Sequence, residues 1–140
     1  MKATLDHVGV AVRGLSEAIA FYRDALGLEV SEPADVPTER VRAVFVRVGD
    51  ASIELLEPTA PDSALARSIE RRGEGLHHIT LAVDDLTAAL AQLKARGVRL
   101  VDDTPRPGAH GTRVAFVHPS STGGVLLELK ERASGSKGAV

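Results

Sequence analysis

Apolar positions along the chain recur with two periods, and the order of those periods is written twice. LDHVGVAV (5–12) carries a β-branched apolar run and reads as a strand. Leu15, Ile19, Tyr22 and Leu26 then recur at helical spacing and predict a helix over 15–27, capped by Ser16 and closed by Gly27. A short strand (28–32) and a loop (33–40) follow. VRAVFVRVG (41–49) alternates most clearly; a Gly49-Asp50 turn leads from it into the strand ASIELLEP (51–58). The second series is LHHITLAV (76–83) as a strand, 86–97 as a helix with Asp85 as cap and Gly97 as stop, and 98–102 as a short strand. A loop (103–111), the strand TRVAFVHP (112–119), a glycine turn at Gly123-Gly124 and the strand VLLELKE (125–131) complete it. Each series reads strand–helix–strand–strand–strand, so the pattern predicts an α+β fold of two tandem βαβββ modules. We expect one domain over 1–132, with module one at about 4–58, a connector at 59–74 that holds a short helix around Leu65 and Ile69, and module two at about 75–132; 133–140 reads as a flexible tail.

Composition changes this picture little. Of 140 residues 44% are hydrophobic but only 3% aromatic, so the core must be aliphatic. A net charge of −2 with interspersed signs argues against nucleic acid as a partner. The absence of cysteine excludes disulfides, thiolate metal sites and thiol nucleophiles. No apolar run approaches the ~20 residues of a membrane span, and the chain enters a strand pattern at once, so no membrane partner and a cytoplasmic location are expected.

Aligning the two series brings their polar exceptions together. His7 matches His78, each at the start of a first strand. Glu54 matches Glu128, each between apolar neighbours in a last strand. Alternation places each glutamate on the face opposite those neighbours, and in a curved sheet that face lines a cleft. A lone strand-start histidine or strand glutamate is ordinarily a surface residue. Four exceptions in matched positions point instead to a shared ion, because a carboxylate in a cleft is costly to desolvate without a compensating cation. Two imidazoles and two carboxylates suit a borderline divalent metal: Co²⁺ first, then Mn²⁺, Ni²⁺, Zn²⁺ or Fe²⁺. With six-fold coordination, two positions would stay open for substrate. His77 should point to the other face from His78 and reads as a strand-edge residue or a hydrogen-bond donor behind the metal ligands.

With these residues the chain resembles the vicinal oxygen chelate superfamily, which includes glyoxalase I, extradiol dioxygenases and fosfomycin-resistance proteins. Within it, ELLEP, GEGLHHI and GAHG followed by VAFVHP and GVLLEL are similar to the methylmalonyl-CoA epimerase family, over Leu5 to Glu131. The resemblance implies a sheet cup around the metal, with His7, Glu54, His78 and Glu128 as ligands. It implies an acyl-CoA substrate of malonyl type, inversion of the carbon between thioester and carboxylate through an enolate, and a homodimer. Two departures stand out. The family's loop glutamate, regarded as a catalytic base, aligns with Thr38, and the nearest carboxylate is Glu39, one residue later. Ser120 stands where many members have lysine. Glu39 is therefore the first candidate for the base, Glu128 for the acid on the other face, and His110 of GAHG a third. Another enzyme of the superfamily, such as a glyoxalase-like isomerase or lyase, and a metal-free small-molecule binding protein are the alternative readings.

Overall fold

The computed structural model describes residues 1–133; all of the expected tail except Ala133 lies outside the described residues. Eight strands are present among them: β1 (Ala3–Ala11), β2 (Ala34–Val36), β3 (Val41–Val48), β4 (Ala51–Pro58), β5 (Gly75–Val83), β6 (Arg106–Pro107), β7 (Arg113–Val117) and β8 (Leu127–Glu131). The helices are α1 (Leu15–Ile19), α2 (Ala64–Arg72) and α3 (Leu86–Ala95). Two compact units result, His7–His77 and a second made of Met1–Asp6 with the chain from His78 onward.

In the His7–His77 unit the strand order is β2-β3-β4-β1. β1 runs parallel to β4, and β3 is antiparallel to β4. Val12, Leu15, Val44, Val46 and Leu55 form one buried cluster; Ala11, Val41, Ala43, Leu56, Leu65 and Ile69 form another. The expected connector helix is α2: Ser63 caps it by accepting from the Ala66 N–H, and its Leu65 and Ile69 are the buried positions. The second unit repeats the scheme with the order β5-β8-β7-β6, β5 parallel to β8 and β7 antiparallel to it. Its core gathers Val83, Leu86, Ala89, Leu90, Ala115, Val117 and Leu129. All of these cores are aliphatic, as the low aromatic content requires.

Local detail departs from the sequence pattern in matched ways. The short strands expected at 28–32 and 98–102 reduce to single bridges, Val30 to Val46 and Leu100 to Val117. The edge pairings fall later, in β2 and β6, inside stretches that read as loops. The first helix continues from α1 as a π-helical turn, Ala20–Ala25, in which the Leu26 N–H reaches back to the Phe21 carbonyl. Ser16 is not its cap; Gly14 occupies that position without a side-chain bond. The Leu15 N–H donates instead to Glu57 Oε1 at 3.1 Å, from the end of β4. In the second unit Asp85 caps α3 as expected, accepting from Ala88 N–H, and the Leu86 N–H donates to Glu131 Oε2 at 2.9 Å. Each last strand thus sends one glutamate to a helix N-terminus, where a negative charge meets unpaired N–H groups. Between β7 and β8 the chain passes through a short 3₁₀ segment, Pro119–Ser121, before Gly123 and Gly124, a longer connection than a two-residue turn.

Candidate metal centre

In the His7–His77 unit the register puts the polar exceptions on one face. Gly9 lies beside Glu54 in the parallel pair, and Phe45 lies beside it in the antiparallel pair. His7 is two residues before Gly9, so its side chain shares that face. His7 Nε2 is 3.2 Å from Glu54 Oε1, and both residues are buried. The imidazole meets the Phe45 ring edge-on, with centroids 5.7 Å apart and an interplanar angle of 88°. An aromatic wall of this kind limits ring rotation and keeps water off the imidazole face.

The second unit holds the same constellation. Thr80 lies beside Glu128 on β5–β8, and Phe116 lies beside Glu128 on β7–β8. His78 Nε2 is 3.7 Å from Glu128 Oε1, with His78 buried and Glu128 nearly so. The His78 and Phe116 rings meet edge-on at 6.3 Å and 83°. The backbone N–H of each phenylalanine is held by a side chain from the segment before it: Ser31 Oγ accepts from Phe45 at 2.9 Å, and Asp102 Oδ2 accepts from Phe116 at 2.8 Å. The Arg106 guanidinium stacks 5.1 Å from the centre of the Phe116 ring and ion-pairs with Asp102 at 3.3 Å.

Each unit therefore pairs an expected imidazole with an expected carboxylate. Burying a carboxylate beside a neutral imidazole leaves a net negative site, and a cation offsets the desolvation. The donor set fits a divalent ion of the borderline class. The remaining expected residues lie in loops. Glu39 is exposed in the Pro37–Arg40 turn between β2 and β3, its N–H bonded to the Val36 carbonyl; the turn ends on Arg40 at a positive φ of 53°. His110 is exposed at a φ of 58° within GAHG. Gly108 of that motif has a specific need for glycine: a Cβ there would lie 2.7 Å from Val114 Cγ1. Ser120 donates its N–H to His118 Nδ1. Arg40 and Arg42, two guanidinium groups near Glu39, pair with Asp62 and Asp35.

Sequence reasoning missed the two phenylalanines, the two capping glutamates and Thr80. A signal for the first four was present: Phe45 and Phe116, like Glu57 and Glu131, occupy matched positions of the repeat.

Two βαβββ units with a His–Glu pair on the inner strands of each define a class of protein. The chain belongs to the glyoxalase/bleomycin resistance protein/dioxygenase superfamily, whose family model matches residues 6–116. Among curated relatives, the mitochondrial methylmalonyl-CoA epimerase of Bos taurus is 42% identical over 91% of this chain and 73% of its own length. An ethylmalonyl-CoA/methylmalonyl-CoA epimerase of Cereibacter sphaeroides is 40% identical over 94% of this chain and 99% of its own. A solved structure of methylmalonyl-CoA epimerase in complex with methylmalonyl-CoA and NH4+ superposes with a TM-score of 0.89 at 35% identity, covering 96% of this chain and 97% of the other. Among the described residues no helix is long and apolar enough to cross a membrane.

Proposed function

We propose that this protein is an epimerase that interconverts the (R) and (S) forms of methylmalonyl-CoA. The reading is carried by the duplicated His–Glu pair in a chain 42% identical to a methylmalonyl-CoA epimerase. His7, Glu54, His78 and Glu128 would together hold one divalent ion, cobalt being the first choice. Each unit contributes one imidazole and one carboxylate of the kind such an ion takes, and the equivalence of the two pairs in the repeat supports their sharing it. When bound, the ion supplies positive charge where negative charge develops on the thioester oxygen.

The protein's own residues must supply the proton transfers. The substrate carbon to be inverted carries one hydrogen between a thioester and a carboxylate. A base removes that proton, the bonding electrons pass into the enolate, and an acid returns a proton to the opposite face. Glu39 is assigned to the first step. Its place in a four-residue turn rather than in a strand supports this, because a turn can absorb the one-residue offset from the family's position. Glu128 is assigned to the opposite face. Phe45 and Phe116 keep the imidazoles oriented and shield them from water. A homodimer completes the reading, supported by the resemblance to the epimerase family; sedimentation equilibrium tests the assembly.

The direct test is to incubate the cobalt-loaded protein with one epimer of methylmalonyl-CoA in D₂O. Deuterium at C2 together with loss of optical purity is the expected result. Unchanged substrate across several divalent metals would refute the proposal. Ethylmalonyl-CoA as a second substrate would measure how far the site tolerates a longer acyl branch.

A further inference from the structure

The two His–Glu pairs share one scheme but differ at the residue that stands beside each carboxylate on the parallel strand. Beside Glu54 on the parallel partner strand stands Gly9, which has no side chain to offer. Beside Glu128, in the same register, stands Thr80, fully buried, with its hydroxyl donating to Glu128 Oε1 at 2.6 Å. That separation is at the short end for a hydroxyl–carboxylate bond, as expected for a charge-assisted one. The same oxygen is the one nearest His78, and the His78–Glu128 separation is 3.7 Å against 3.2 Å for His7–Glu54. A buried hydroxyl on a β-branched residue is stiff at χ1, so it holds its acceptor in one place. Glu128 is thus fixed by a bond to the strand that carries His78, whereas the matched position beside Glu54 is a glycine, Gly9.

We infer that Thr80 is a positioning residue that makes the two carboxylates unequal. It ties Oε1 of Glu128, sets the carboxylate rotamer, and so determines how Glu128 meets a divalent ion. The inference rests on the metal reading above and adds to it that the second carboxylate is oriented by a hydroxyl rather than by the ion alone. Groups that orient a metal ligand in this way commonly contribute about 10–100-fold to metal affinity.

The test uses Co²⁺ as probe on the metal-free full-length protein. Thr80→Val keeps the shape and removes the hydroxyl; Thr80→Ser restores it. Calorimetric titration should show Co²⁺ binding weakened by about 10–100-fold in Thr80→Val and returned to within about three-fold of the parent in Thr80→Ser. The visible ligand-field spectrum of the Co²⁺ form should change in the valine variant and return in the serine variant, which a purely structural role would not produce. In a Glu128→Gln background the valine substitution should have a much smaller effect on affinity, because the charged acceptor is gone. If Thr80→Val binds Co²⁺ as tightly as the parent with an unchanged spectrum, the inference is overturned while the metal site stands. If the parent itself takes up no Co²⁺, the metal reading fails first and the inference fails with it.

Discussion

Replacing Glu57 by alanine isolates one contact that joins a sheet to a helix. Its Oε1 accepts the Leu15 N–H at 3.1 Å in a partly buried setting, and the N-cap residue Gly14 contributes no side-chain bond. Losing a helix-start acceptor costs about 0.5–2 kcal/mol, and a charged acceptor near the helix N-terminus adds about 0.3–1 kcal/mol. We therefore expect about 1–3 kcal/mol of lost stability. For a domain of this size, an unfolding entropy of about 2.1 cal/mol/K per residue gives roughly 0.28 kcal/mol per degree. The melting temperature should fall by about 4–11 °C in a calorimetric scan of the metal-free protein. Glu57→Gln, which keeps an acceptor oxygen but not the charge, should fall by less than half as much. At α3 the corresponding Glu131→Ala change should be milder at the helix start, because Asp85 also caps that end. A Glu57→Ala melting temperature within about 1 °C of the parent would refute the claim that this glutamate anchors the first helix.

Three further outcomes follow from the same contacts. Gly108→Ala should destabilise by about 1–3 kcal/mol, since its Cβ meets Val114 and Thr112 side-chain atoms below 3 Å; an unchanged denaturation midpoint would contradict this. Glu39→Gln should lose about 10²–10⁴-fold in kcat while binding Co²⁺ normally, and near-normal turnover would remove Glu39 from the chemistry. Saturating metal at about 100 times its Kd should raise stability by about 2.7 kcal/mol, a melting shift of roughly 10 °C that a chelator reverses; a shift below about 2 °C would mean that the fold does not hold the ion.

The long strands and α3 were legible because alternation and helical spacing in the sequence survive in the fold. VRAVFVRV became β3 and LHHITLAV lies within β5. The four metal-ligand candidates stood out in the sequence for a different reason, and remain a proposal: duplication makes a polar exception conspicuous when its counterpart repeats it. What escaped was whatever depends on register across strands. Phe45 and Phe116 look like ordinary strand residues until the ladder sets each beside a glutamate. Thr80 reads as a β-former until the parallel pairing places its hydroxyl on Glu128. The misplaced edge strands share this cause. LEVSE does run along β3, through the Val30–Val46 bridge, but the longer ladder forms at Ala34–Val36. Ser16 was a reasonable cap by type, yet the helix already begins at Leu15, which places Ser16 inside the first turn, and a glutamate distant in sequence accepts the Leu15 N–H.

The most direct measurement is a Co²⁺ titration of the metal-free protein beside its His7→Ala and His78→Ala variants, read by calorimetry and by elemental analysis after dialysis. One ion per chain in the parent, and loss of tight binding when either histidine is removed, is what two half-sites sharing one ion require. An ion retained at full affinity in both variants, or no ion taken up by the parent, would contradict it.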